Sequence, residues 1–320
     1  MTNVERQTVG GVRRLSSEMD SIIPPGAEVE VLAEGFDWAE GPVWVESRVG
    51  GESGYLLFTD VPQNVIWRWS ETNGLSEFMR PSGFDGEDGS HLREPGANGL
   101  VIEPSGALLM CDHGNRSLSR VDLATRRKTI VVDRFEGKRF NSPNDLVIHR
   151  SGAVYFTDPP YGLEGLNDSL VKEMAHNGVY RRAPDGVVTL IDDALSFPNG
   201  VALSPDHRTL YVAVSDPEAP ILRAYDLGDD GRPTSSRLFF DAASLMGPDA
   251  PGVPDGLKVD ARGRIFTTGP GGVLVLTPQG DLLGVIDTGR ATANCAFGPG
   301  GASLFMTADD RLTRVALTPA

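Results

Sequence analysis

The chain has 320 residues, 40% of them hydrophobic, and a formal net charge of −15. That acidity argues against nucleic acid and anionic membrane surfaces as partners, since phosphate binding needs a basic footprint. It also raises the local concentration of cations, which favours a metal site. The two cysteines, Cys111 and Cys295, are far apart and form no CxxC pair, so both are expected as buried thiols in strands.

Residues 1–27 lack the apolar core of a secretory signal and read as an N-terminal extension. The expected compartment is therefore the cytoplasm, with the periplasm left open. Glu28 to Leu32 follows as a strand placed to complete the last unit of a closed ring. Residues 28–320 then read as one domain built from a unit that recurs six times. The units open at Glu40 (EGPVW), Asn98 (ANGLVIEPSGALLMCD), Asn144 (PNDLVIHRSGAVYFTD), Asn199 (PNGVALSPDHRTLYVAV), Asp255 (PDGLKVDARGRIFTTG) and Asn294 (NCAFGPGGASLFMTA). The intervals between openings are 58, 46, 55, 56 and 39 residues.

Each unit follows one recipe. A dipeptide such as Asn-Gly, Asn-Asp or Asp-Gly, read as a turn, precedes a short apolar run; a second turn and two further runs of strand length follow. No segment holds helical periodicity, and the best helical candidate, Asp168 to Ala175, is short. Short strands in turn-linked fours, repeated radially, make a β-propeller, and the missing WD dipeptide disfavours the WD40 kind. Two inserts break the pattern, residues 81–96 and 159–177. They read either as parts of the binding face or as plain surface loops.

The openings carry the chemistry. Equivalent positions in a ring face one axis, so six oxygen-bearing side chains would converge on a single point. Glu40 and Asp255 are anionic; Asn98, Asn144, Asn199 and Asn294 offer amide oxygens. Carboxylates and amides without thiol or imidazole suit a hard cation. The competing reading is that these dipeptides only make turns, and the residues alone leave both open. A second tier lies fourteen residues further on at Asp112 and Asp158, with Gly269 in the same place. His113 is either a substrate or carboxylate partner or a structural histidine. HExxH, GxSxG and P-loop motifs are absent.

Taken in order, EGPVW, ANGLVIEPSGALLMCDHGNR, NSPNDLVIHRSGAVYFTDPPYGL, NGVYR, FPNGVALSPD, VPDGLKVD and TGPGGV resemble the gluconolactonase, regucalcin and luciferin-regenerating enzyme family over nearly the whole chain. The resemblance looks closest to bacterial gluconolactonases. It implies an all-β, six-bladed propeller with a divalent metal, usually calcium, at the central channel. Oxygen ligands would also suit magnesium, manganese or zinc. The family's metal-binding positions fall on Glu40, Asn144, Asn199 and Asp255. The implied reaction is hydrolysis of a sugar lactone to its aldonic acid. Asp255 is the expected general base, with Glu40 as second choice, and Asn98, His113, Asp158 and Tyr161 are expected substrate contacts. Two rivals share the scaffold. One is hydrolysis of a phosphotriester or a hydrophobic lactone, as in the similar diisopropyl fluorophosphatase and drug-responsive lactonases. The other is a non-catalytic calcium-binding propeller. A strictosidine synthase-like propeller is disfavoured, since it lacks the metal motif present here. No residue pattern assigns an oligomeric state.

Overall fold

The computed structural model describes residues 7–46 and 54–319. The described residues form seven antiparallel sheets: six are blades, and the seventh is a two-stranded hairpin of Arg134–Phe135 with Lys138–Arg139. Blade 1 comprises Ala39–Val45, Tyr55–Asp60, Val65–Ser70 and Gly74–Met79; blade 2 comprises Ala97–Ile102, Leu108–Asp112, Ser117–Val121 and Lys128–Val132. Blade 3 comprises Leu146–Ile148, Val154–Asp158, Gly178–Arg182 and Val188–Asp192; blade 4 comprises Pro198–Leu203, Thr209–Val214, Ile221–Leu227 and Pro233–Asp241. Blade 5 comprises Leu257–Val259, Ile265–Gly269, Gly272–Leu276 and Leu282–Asp287. Blade 6 takes Thr292–Phe297, Ser303–Ala308 and Arg311–Ala316 from the end of the chain and Val29–Glu34 from its start.

That last pairing closes the ring, as the strand at Glu28 to Leu32 was expected to do: Val29 pairs with Val315 and Glu34 with Arg311. Of the segment expected as an extension, residues 1–6 lie outside the described range. Thr8–Val9 adds a further edge strand to blade 6, and Gly11–Arg14 adds one to blade 5. The expected lack of helix holds among the described residues, which contain only short 3-10 turns; one of them, Leu166–Asp168, overlaps the helical candidate by a single residue.

The first strand of every blade is innermost, and each packs on the first strand of the next blade round the full circle. Blades pack through faces that are apolar on both sides, so the strands read as near-continuous hydrophobic runs. Leu108, Leu109, Met110 and Cys111, for example, are all at most 1% exposed. Both cysteines are buried, free and in strands.

Hydroxyls and amides stitch neighbouring blades together near the axis. Thr59 Oγ1 donates to the Asn98 carbonyl (3.2 Å), Thr157 Oγ1 to that of Asn199 (2.6 Å) and Thr268 Oγ1 to that of Ala293 (3.3 Å). The Gly99 N–H donates to the Asn144 carbonyl (2.8 Å), and the Gly256 N–H to the Ala293 carbonyl (2.7 Å).

The dipeptides read as turns are not turns. Asn98-Gly99 and Asn199-Gly200 lie inside innermost strands, as does Glu40-Gly41, which carries no turn signal, each where the pairing register slips: between Ala97 and Leu100, Pro198 and Val201, and Glu40 and Val43. A bulge re-aims a side chain out of the ladder. Here it turns the opening residue towards the axis, which alternation along a flat strand would not do.

Candidate active site at the hub

One cavity of about 270 Å³ lies at the end of the central channel where the innermost strands begin. Glu40, Asn98, Asn144, Asn199 and Asp255 all line it, so five side chains from five blades meet there. The sixth opening, Asn294, does not. It sits behind Glu40, with Nδ2 donating to Glu40 Oε2 at 3.1 Å while its Oδ1 accepts from Lys258 Nζ at 3.2 Å. The expected convergence of six is therefore a convergence of five with a sixth as a brace. Asn294 is diverted because its amide is held by a carboxylate on one end and an ammonium on the other.

The inserts supply much of the remaining wall. Arg93 and Glu94 come from the first and Tyr161 from the second. The two inserts clasp each other: Leu92 and Leu163 form an antiparallel bridge, and the Arg93 N–H donates to the Gly162 carbonyl (3.0 Å). Both inserts thus wall the hub cavity. Trp38, Ser215 and Thr292 also line the cavity. Tyr161 stacks on Phe197 with ring centroids 5.7 Å apart.

Two of the expected substrate contacts lie off the cavity wall. His113 is fully buried, with Nδ1 3.3 Å from Glu94 Oε2, so it stands behind a wall residue rather than on the wall. Asp158 is also fully buried. Its Oδ2 accepts the Asn141 N–H (2.8 Å), which ties blade 3 to the segment leading into it. The other two, Asn98 and Tyr161, do line the cavity.

Electrostatics at the hub follow from crowding carboxylates where water is scarce. Burial pushes the Glu40 carboxyl up to about 7, against the pull of the Gly41 N–H and with repulsion from Asp145. Burial likewise holds Asp255 well above the carboxylate range, aided by the charges of Glu40, Asp145 and Glu94. Lys258 Nζ lies 4.0 Å from Asp145 Oδ2 and offsets part of this excess. Asp255 Oδ1 and Asn98 Oδ1 are buried without a hydrogen-bond partner. Unpaired buried acceptors beside clustered negative charge are what a hard cation would satisfy. Among the described residues no three His, Cys, Asp or Glu side chains gather as a metal cluster, so any cation here must draw on the amides. The chemistry of this donor set suits a divalent ion, which Glu40, Asn144, Asn199 and Asp255 could hold. Ser215 braces this set by accepting from Asn199 Nδ2 (2.9 Å) and donating to the Pro254 carbonyl (2.7 Å), one residue before Asp255.

The family described as SMP-30/Gluconolactonase/LRE-like region matches residues 38–310, which carry all of these side chains. The chain belongs to that family. A gluconolactonase from Zymomonas mobilis is 42% identical over 317 residues, covering 98% of this chain and 88% of the relative. A pentonolactonase from Haloferax volcanii is 27% identical, covering 84% and 80%. A solved gluconolactonase from Xanthomonas campestris superposes with a TM-score of 0.82 at 30% identity, covering 98% of this chain and 96% of the other.

Within this SMP-30/gluconolactonase scaffold, sequence reading missed Arg93, Glu94, Ser215, Asp145 and Lys258. Two of them left a signal. Asp145 stands where Asn98, Asn199 and Asp255 are followed by glycine, and Lys258 is a lone cation in an apolar run (GLKVD). Arg93 and Glu94 left none, because they reach the hub only through the pairing of two distant inserts.

Proposed function

We propose that the protein hydrolyses a sugar lactone of the glucono-1,5-lactone type to its aldonic acid at the hub cavity. The observation that carries this is the lining itself. Beside two aromatic rings, Trp38 and Tyr161, it presents Glu40, Arg93, Glu94, Asn98, Asn144, Asn199, Ser215, Asp255 and Thr292. Such a wall offers donors and acceptors to a ring bearing several hydroxyls. A hydrophobic lactone or an aryl phosphotriester would leave most of those groups unpaired, at about 1–3 kcal/mol each. The Zymomonas and Xanthomonas relatives, both described as gluconolactonases, support the same substrate class.

A divalent cation, calcium if it follows the family resemblance, would be held by Glu40, Asn144, Asn199 and Asp255 and would supply Lewis acidity to the lactone carbonyl. The chain's own side chains do the rest. Asp255 takes a proton from the attacking water through whichever carboxylate oxygen the cation leaves free, and burial with the neighbouring carboxylates holds its carboxyl above the usual range. The water oxygen bonds to the carbonyl carbon, the bond from that carbon to the ring oxygen breaks, and the proton passes to the departing ring oxygen. Asn294 and the Gly41 N–H keep Glu40 Oε2 fixed throughout. Asn98 and Tyr161 orient substrate hydroxyls.

The test is acid release from glucono-1,5-lactone in weak buffer by the calcium-supplemented protein and by Asp255→Asn. The wild type should accelerate ring opening well beyond the spontaneous rate. The variant should lose about 100-fold or more in kcat while keeping its melting temperature. Wild-type rates in Asp255→Asn would remove Asp255 as the base. No acceleration by the wild type with calcium bound would leave a calcium-binding propeller without this activity.

A further inference from the structure

We propose that a second pocket, separate from the hub, binds a small oxyanion (a phosphate or carboxylate group) through Arg116 and Arg139. It is a cavity of about 430 Å³ walled in part by His91, Arg116, Arg139, Lys172 and Glu173. The protein as a whole carries 44 acidic against 29 basic side chains, so two arginines and a lysine with one acid round a single cavity reverse the local sign. None of these five residues lines the hub cavity.

The guanidiniums are held rigidly yet left incomplete. Arg116 is 2% exposed; its Nε donates to the carbonyls of Phe140 (2.6 Å) and Asn141 (3.2 Å) and its Nη1 to that of Val171 (2.8 Å). Its Nη2 is buried with no partner. Arg139 Nη2 donates to the Asn115 carbonyl (2.7 Å), while its Nε is also buried without a partner. The acid on the wall does not close the gap. Glu173 Oε2 accepts the Arg139 backbone N–H (2.9 Å), and Oε1 stays 3.9 Å from Arg116 Nη1.

Two guanidiniums sharing a wall without a bidentate carboxylate is a costly arrangement. Burial first, then the Arg139 charge, pushes the Arg116 pKa down; Arg134 adds repulsion, while Glu173 and Asp158 oppose it. An oxyanion in this cavity would supply the negative charge its wall lacks and an acceptor for the guanidinium N–H groups that face it, in the fork geometry that arginine favours. Lys172, anchored by the Met174 and His176 carbonyls, adds a third positive charge. This inference does not depend on the hub reaction.

The experiment is isothermal titration of the full chain with inorganic phosphate and, separately, with gluconate, at constant ionic strength. Saturable binding by either is expected, and the tighter of the two tells whether phosphate or carboxylate is the natural group. Arg139→Ala should weaken binding at least about tenfold, the worth of a charge-assisted hydrogen bond, while lactone hydrolysis stays unchanged. If Arg139→Ala does not fold, Lys172→Ala takes its place and should weaken binding in the same direction. No saturable binding by either anion overturns the proposal. So does binding that persists unchanged in a folded Arg139→Ala, since that anion would be sitting at the hub.

Discussion

The glycines that follow the ring residues show how one residue can be misread and still mark the site. A Cβ at Gly200 would lie 2.1 Å from the Asp255 carbonyl oxygen, and one at Gly41 would lie 2.0 Å from that of Asn98. These glycines let adjacent innermost strands touch, and Gly41 also has φ of +47°, where other residues are strained. The Asn-Gly signal thus reports close backbone approach at the axis instead of a hairpin, and single-chain turn statistics cannot tell the two apart. Gly200→Ala is expected to destabilise by at least about 2 kcal/mol through overpacking against backbone, with a melting temperature several degrees lower and hub activity reduced. An unchanged melting curve would mean the strands can separate freely. Asp158 offers a second test. Burial raises its carboxyl to about 7, while an unfolded aspartate titrates near 4. Between those values the native chain keeps a proton that the unfolded chain has lost, so this residue makes stability fall as pH rises from about 4 to 7, then level off. In Asp158→Asn that component vanishes. Urea midpoints should favour the variant more at pH 8 than at pH 5, and a pH-independent difference would contradict the shift.

At the scale of elements, most of the blade pattern was legible because it rests on local alternation of turns and apolar runs. The strands sit where those runs are, and their second members end at Asp112, Asp158 and Gly269 as the spacing implied. What stayed hidden depends on pairing between segments far apart. The clasp of Leu92 with Leu163 joins two inserts that have no common sequence signal, and it places Glu94 and Tyr161 on the same wall. His113 depends on the same pairing: it stands against the Glu94 carboxylate, one of the roles its sequence allowed, instead of on the cavity wall. It is near the site in sequence, yet the clasp covers it. Gly162 is the tight point of this arrangement, since a Cβ there would lie 2.8 Å from the Cβ atoms of His113 and Ser142. Gly162→Ala should push the second insert outward and lower kcat/KM on the order of tenfold, chiefly through a higher KM, as strain of about 1–3 kcal/mol is relieved by moving the wall. An unchanged KM would show that the clasp does not shape the substrate pocket.

For the whole molecule, ring closure makes the two ends of the chain one structural unit. Val29–Glu34 is hydrogen-bonded to the strand nearest the C-terminus, Arg311–Ala316, so the sixth blade exists only when both ends are present. The segment before it is also structural. Met19, Ile22 and Ile23 are at most 2% exposed and share a core cluster with Phe266, Val275, Leu304 and Leu317. Arg14 fixes their approach, donating to the carbonyls of Ile23 and Pro24, both at 2.9 Å. At about 1.5–3 kcal/mol for each buried apolar side chain, these three contribute roughly 5–9 kcal/mol. That is comparable to the whole net stability of an ordinary domain, about 5–15 kcal/mol. Removing residues 1–27 while leaving the closing strand intact should therefore cause a large fall in melting temperature or loss of soluble protein. Removing residues 1–6 serves as the control for truncation as such. If the chain starting at residue 28 melts with the same midpoint and cooperativity as the full chain, then blades 5 and 6 do not need that cover. The stability of the ring would then have to come from the inter-blade contacts near the axis alone.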